Sequence, residues 1–212
     1  MYLLSFLLVN LLLPFIAPLK FTPSPPTLRS NFLSLLTTTQ LPPPEKSSIL
    51  SYLKTIEPKF ELESPSPFVT IWTSDSPIWS RWGTAGQFYS DSSVINGALT
   101  PFGAVMVRGY YTNVSDSVVG LGGEPCYEVT VTSGLLTNSL FEVPLPIKGK
   151  GYLRLLYADE DFRVLQNYKD TKGAWRWENE GGIAVQVRAD LVDKEKFDGR
   201  NLEEAFGVFL NE

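Results

Sequence analysis

Apolar and polar residues alternate along most of the chain beyond its first third, with turn-forming residues between the alternating stretches. In residues 126–132, for example, Tyr127, Val129 and Val131 fall on one side, and residues 183–189 repeat the pattern. Because successive side chains of a strand point to opposite faces of a sheet, a period of two predicts half-buried strands. The predicted strands are 68–73, 86–95, 102–112, 126–132, 139–143, 152–157, 162–166, 174–179 and 183–189.

Helical spacing occurs only before and after these strands. A short helix is predicted from Ser47 or Ser48, either of which can cap it, to Pro58, which ends it. A second helix is predicted from Asn201, with Glu204 completing a capping box. Many short strands with no helix pattern between them favour an antiparallel meander, sandwich or barrel over a parallel sheet. The sequence therefore predicts one mainly β domain with helical flanks.

Residues 1–44 differ in composition from the rest of the chain. They contain no Asp or Glu, whereas all 23 acidic residues of the protein follow them. The apolar run Tyr2–Ile16 is shorter than the roughly 20 residues of a membrane span and fits the core of a signal peptide. A Ser-, Thr- and Pro-rich stretch follows it, as in transit peptides. We predict a targeting leader over 1–44 and a folded domain over 45–212.

Together, the two halves of this leader resemble the bipartite leaders of plastids of secondary endosymbiotic origin. The alternatives are a secretory signal followed by a Pro-rich linker, and a membrane-anchored N-terminus. The single cysteine, Cys126, favours the plastid, since secreted domains of this size usually contain paired cysteines.

Composition excludes several classes of function. The chain has no histidine and one cysteine, which excludes Ser-His-Asp and Cys-His nucleophiles, His-ligated metals and an intramolecular disulfide. The net charge of −5 argues against nucleic-acid binding, which needs a basic face. The glycine-rich run at 120–123 precedes a strand rather than a helix, so it is not a phosphate loop. The sequence predicts no cofactor and no metal.

Three consecutive acids, Asp159, Glu160 and Asp161, form the sharpest chemical cluster. Such carboxylates can bind a divalent cation or act as general acid and base. However, strands are predicted on both sides, so the cluster lies at a hairpin tip, where consecutive side chains diverge. We therefore predict a structural role, in which Arg163 could pair with one of these carboxylates across the turn. Cys126 is predicted to be an inert thiol on the strand face opposite Tyr127.

Aromatic residues suggest a binding role, because aromatic side chains in a barrel can hold a flat or long apolar ligand. Trp175 and Trp177 alternate with the charged residues Arg176 and Glu178. Alternate residues of a strand share a face and the charged face belongs in water, so both indoles are predicted to face inward. The alternative is that the aromatic residues only fill the core. The predicted ligand-binding residues are Trp72, Phe88, Tyr89, Trp175 and Trp177.

Three short motifs resemble a known family. The steps Trp72-Thr73-Ser74 and Gly86-Gln87-Phe88-Tyr89, and the late motif Tyr157–Val164, resemble the plastid lipid-associated proteins, or plastid fibrillins. The resemblance covers roughly residues 47–190. In the late motif Ala158 and Phe162 stand where the family has leucine, and the family's Gly-x-Trp step before the first strand is absent.

The resemblance implies a lipocalin-like barrel that associates with the thylakoid or the plastoglobule and binds lipids without catalytic residues. The predicted function is therefore non-enzymatic binding of an apolar lipid, carotenoid or quinone, or another isoprenoid or pigment, in a plastid. The alternative is a structural or assembly subunit that docks on a thylakoid membrane complex without a ligand. An enzyme using carboxylates alone is disfavoured by the missing histidine. An open barrel interior favours binding, and a filled one favours docking.

Overall fold

The strands of this protein pair in the order in which they occur along the chain. The computed structural model describes residues 46–74, 85–100, 103–117, 122–138, 140–168 and 180–191, all within one compact unit. Its elements are α1 (Lys46–Leu53), β1 (Phe68–Thr73), β2 (Ala85–Ser90), β3 (Ser93–Thr100), β4 (Gly103–Asn113), β5 (Cys126–Thr137), β6 (Glu142–Leu145), β7 (Gly149–Ala158), β8 (Phe162–Tyr168) and β9 (Glu180–Arg188).

Eight of these strands form a closed antiparallel barrel. The sheet order is β4-β3-β2-β1-β9-β8-β7-β5, and a further pairing between β4 and β5 closes the ring. Short β6 pairs with the last residues of β5, beyond the point where β7 leaves that strand. The predicted mainly β, lipocalin-like barrel with a short N-terminal helix is thus confirmed. The predicted leader (1–44), the strand at 174–179 and the helix after Asn201 lie outside the described residues.

Register determines which side chains enter the barrel. Tyr127 of β5 pairs with Leu153 of β7, and Leu155 of β7 pairs with Leu165 of β8. All four are buried in one apolar cluster inside the barrel. Because paired residues share a face, every second residue from these positions also faces inward until a bulge shifts the register, as after Val131 in β5 and after Leu155 in β7.

Strands β1, β8 and β9 are buried on both faces. In β9, Gln186 faces the interior, whereas its apolar neighbours Val185 and Val187 lie on the outer face and are buried there as well. The chain before β1 covers part of the outside. Helix α1 buries Ile49 completely, and its Lys46 Nζ lies 3.5 Å from the carbonyl oxygen of Gly181 in β9.

One end of the barrel is closed by the segment that follows α1. Phe60 forms a parallel bridge with Ala158, and Leu62 joins the interior cluster next to Tyr89. We call the end formed by Leu62, Tyr89 and Arg163 the floor. The opposite end, where β7 begins and β5 continues into β6, is the mouth.

Candidate ligand cavity

A cavity of about 500 Å³ lies inside the barrel between the floor and the mouth. This volume falls in the range of small-molecule sites, roughly 300–1,000 Å³. Strands β5 and β7 give it an apolar wall of Val129, Val131 and Leu153. The facing strands β2 and β3 contribute Gln87 and Asn96, which lie directly opposite each other in the sheet. The cavity is therefore apolar on one side and polar on the other.

The mouth opens beside the first residues of β7. Gly149 and Gly151 line the cavity there and have no side chains, and no heavy atom lies within 4 Å of the Cβ position of Gly149. Ile147 packs over Gly134 and remains 37% exposed. Lys148 also lines this edge. A ligand can thus enter over a rim that combines the apolar Ile147 with the lysines Lys148 and Lys150.

The floor contains a fully buried guanidinium. Arg163 is 0% exposed, and its Cζ lies 4.1 Å from the centre of the Phe68 ring and 4.9 Å from that of Tyr89. Burial lowers the pKa of Arg163 to about 10, which still leaves the group charged at neutral pH. The two aromatic faces and the surrounding acceptors replace the water that the cation has lost.

All three nitrogens of this guanidinium donate to oxygens that carry no net charge. Nε donates to Gln186 Oε1 at 2.7 Å, Nη1 to the Leu62 carbonyl at 3.0 Å and Nη2 to the Gln87 carbonyl at 2.8 Å. Among the described residues, no carboxylate pairs with it. The positive charge beneath the cavity is therefore not neutralised by a counterion from this part of the chain.

Hydrogen bonds continue from the floor to the polar wall. Gln186 Nε2 donates to Thr70 Oγ1 at 3.1 Å and to Gln87 Oε1 at 3.2 Å. The Tyr89 hydroxyl donates to the same Gln87 oxygen at 3.3 Å, and burial raises the pKa of Tyr89 to about 12, which keeps it protonated. Next to Gln87, the buried Asn96 Oδ1 has no hydrogen-bond partner in the described part of the protein.

The structure separates the five predicted ligand-binding residues. Tyr89 lines the cavity. Phe88 pairs with Ile95, and Trp72 pairs with Val185, so both lie on the outer face of the barrel and away from the cavity. Trp175 and Trp177 lie outside the described residues.

Sequence reasoning missed most of the lining. The sequence does not identify Gln87 or Asn96 as cavity residues, because polar residues in an alternating strand are expected to face water. The structure also brings the rings of Tyr111 and Tyr127 together edge-on, 5.7 Å between centres and next to Tyr89, although neither residue lines the cavity. Tyr127 stands in the alternating pattern of β5, which could have identified it as an inward-facing aromatic residue.

The acidic cluster forms the β7–β8 turn, as its sequence position predicts. Asp159 is only 7% exposed, and its Oδ1 accepts from the backbone nitrogens of Asp161 and Phe162 at 2.9 Å each. The Tyr157 hydroxyl donates to its other oxygen at 3.0 Å. Asp159 is therefore a buried acid that holds the turn together, rather than the exposed acid usual at a hairpin tip.

The predicted pairing of Arg163 across this turn is wrong. Its side chain enters the barrel instead, because it stands at an inward-facing position opposite Gln186. The cation at the turn is Arg188 of β9, whose Nη1 lies 3.3 Å from Asp161 Oδ1. Within the described ranges, no three His, Cys, Asp or Glu side chains are grouped as ligands for a metal ion.

Cys126 lies on the outer face of β5, and its predicted placement opposite Tyr127 is confirmed. The thiol is buried, it donates to the Glu124 carbonyl at 3.5 Å, and burial raises its pKa. A raised pKa reduces the thiolate fraction on which nucleophilicity depends.

Comparison of the sequence with protein-family models and with curated proteins finds no match. The resemblance to the plastid lipid-associated proteins thus stays a prediction that depends on its three motifs. Among the described helices, none has the length and apolar character needed to cross a bilayer.

Proposed function

We propose that this barrel binds one apolar or amphipathic small molecule in its cavity and catalyses no reaction. The observation that supports this proposal is the unfilled interior between floor and mouth. Protein interiors normally pack to a density of about 0.75, and voids lose dispersion contacts. An interior left open at the mouth is therefore better explained by a ligand than by the needs of the fold.

The lining indicates the class of ligand. Most small-molecule sites combine apolar walls with a few placed polar groups that orient the ligand. Here the wall of β5 and β7 accepts a hydrocarbon, while Gln87, Asn96 and Asn167 supply three carboxamides. A lipid, isoprenoid, carotenoid or quinone matches this combination. The acid-free leader and the family motifs support a plastid, and the surface of a thylakoid or plastoglobule within it.

Filling the cavity is expected to abolish binding. Val131 faces the cavity near the mouth, so Val131→Trp places an indole where the ligand would lie. We expect the dissociation constant for N-phenyl-1-naphthylamine, an apolar fluorescent probe, to rise more than about tenfold, equivalent to some 1.4 kcal/mol. Titration with excitation above the tryptophan absorption band measures this change.

The matched control is Ser133→Trp. Ser133 is on the same strand, is exposed, and pairs with Arg108 on the outer face. This variant should bind the probe as the unmodified protein does. Equal probe affinity in Val131→Trp and the unmodified protein would contradict the proposal.

An exposed apolar hairpin favours a second candidate function, docking on a thylakoid membrane complex. At the turn between β5 and β6, Leu140 is 88% exposed, and Phe141 and Val143 are each 43% exposed. The Asn138 side chain holds this turn by accepting from the backbone nitrogens of Leu140 and Phe141. Exposed apolar side chains grouped in one place on the surface are typical of interaction surfaces.

Replacing both Leu140 and Phe141 by Asp should abolish docking without unfolding the barrel, because both side chains are exposed. Co-sedimentation with thylakoid membranes should fall at least about tenfold. Tyr110→Asp, at a half-exposed aromatic residue on the outer face of β4, is the control and should sediment normally.

Protein-free vesicles of the same lipids distinguish the two functions. If the unmodified protein sediments with membranes but not with these vesicles, docking on a protein complex is supported. If it sediments equally with both, the hairpin contacts lipid and the docking-subunit function is contradicted.

A further inference from the structure

We infer that the cavity recognises a hydroxyl group at one end of an otherwise apolar ligand, with Asn96 as the residue that selects it. The inference rests on the proposed function and specifies its ligand class as long-chain or isoprenoid alcohols. Its basis is the hydrogen-bonding state of two neighbouring carboxamides, Gln87 and Asn96, which pair across β2 and β3.

The side-chain oxygen of Asn96 is an acceptor to which no described group donates a hydrogen bond. This atom, Oδ1, is buried and lines the cavity. Buried polar atoms are usually satisfied, and an orphaned acceptor costs stability. A ligand that brings an O–H or N–H to this oxygen would satisfy it.

Gln87 supplies the complementary donor. Its Oε1 already accepts from Gln186 Nε2 and from the Tyr89 hydroxyl. The oxygen of this amide is therefore committed to the floor network, which leaves the Nε2 hydrogens for the cavity side. The polar wall thus offers amide N–H donors beside the Asn96 carbonyl oxygen, an acceptor that no described donor satisfies.

A hydroxyl is the smallest group that satisfies both with a single atom, because its oxygen accepts from Gln87 while its hydrogen is donated to Asn96. An ether or ester accepts only and leaves Asn96 Oδ1 unsatisfied. A carboxylate also accepts only, and its charge is repelled by that carbonyl oxygen.

Arg163 does not reverse this preference. Each of its nitrogens already donates to an oxygen, its faces are covered by Phe68 and Tyr89, and it is fully buried. Arg163 is also not among the residues that line the cavity, so it does not contact a carboxylate bound there. Its positive charge does disfavour an ammonium group there, which removes amines as the donor.

The test compares four ligands with the same carbon chain: dodecan-1-ol, dodecyl methyl ether, dodecanoate and dodecylamine. Each displaces N-phenyl-1-naphthylamine from the full-length protein, and the dissociation constants are compared. We expect dodecan-1-ol to bind about tenfold more tightly than the ether, as one buried hydrogen bond and one relieved acceptor imply. Dodecanoate and dodecylamine should bind more weakly than the alcohol.

Asn96→Leu removes the acceptor, so the alcohol and the ether should then bind within about twofold of each other. Ser133→Leu, which alters an exposed residue on the outer face of β5, should keep the preference for the alcohol. Should Asn96→Leu fail to fold, the four ligands on the unmodified protein still decide the question.

Each remaining outcome has one meaning. If the ether or dodecanoate binds the unmodified protein as tightly as the alcohol, the inferred hydroxyl site is wrong while ligand binding stands. If the probe and all four ligands fail to bind, the proposed function itself is contradicted.

Discussion

Gly109→Ala is expected to destabilise the protein by about 3 kcal/mol or more, at the upper end of what overpacking costs. A Cβ on Gly109 would lie 1.9 Å from the carbonyl oxygen of Thr130 and 2.9 Å from the Cα of Val131. Both are backbone atoms of β5, so the clash cannot be relieved by a side-chain rotation. The sheet itself must shift at the β4–β5 pairing, which closes the barrel.

Urea unfolding followed by circular dichroism measures this effect. Gly149→Ala is the matched control, because no heavy atom lies within 4 Å of its Cβ position in β7. Its free energy of unfolding should stay within about 0.5 kcal/mol of the unmodified value. Equal unfolding midpoints for the two variants would show that the β4–β5 pairing tolerates a side chain there.

Arg163→Met is the second substitution with a large expected effect. Methionine has a similar length but no hydrogen-bond donor. Three oxygens therefore lose the bond that they accept from the guanidinium: the Leu62 carbonyl, the Gln87 carbonyl and Gln186 Oε1. At about 2 kcal/mol for each orphaned acceptor, the loss is about 6 kcal/mol. Methionine is uncharged, so the substitution also removes the cost of burying the Arg163 charge, which offsets part of this loss. The lowering of the Arg163 pKa from 12.5 to about 10 corresponds to about 3 kcal/mol.

The expected net loss is therefore about 3 kcal/mol, again measured by urea unfolding. Arg188→Met is the control, because Arg188 lies at the surface with Asp161 and Asp190. Surface ion pairs contribute under about 1 kcal/mol. If Arg163→Met is as stable as Arg188→Met, the floor hydrogen bonds do not stabilise the barrel.

The sequence predicts most of the strands because each barrel strand has one face towards a packed interior, which produces a period of two. The sequence pattern predicts one strand over 86–95, whereas the structure has two, β2 and β3, joined by a tight turn. There the chain reverses at Asp91 and Ser92, whose φ angles of 49° and 63° lie in the left-handed region. Neither residue is glycine, so the turn lacks the usual signal.

The candidate site was harder to predict, because strand register determines whether a side chain points into the barrel or out of it. Phe88 and Tyr89 are adjacent in β2, so only one of them can face the cavity. Trp72 would share a face with the inward-facing Thr70 in a regular strand. A bulge between Thr70 and Trp72 turns the indole to the outer face, opposite Val185. Such a bulge depends on long-range pairing and leaves no local pattern.

The floor also determines how the barrel responds to acid. Most buried cations in proteins pair with carboxylates, which become neutral near pH 4 and then release their partners. Arg163 donates only to amide carbonyls, which do not take up protons as the medium acidifies. The hydrogen bonds of the floor beneath the cavity are thus kept in an acidifying compartment.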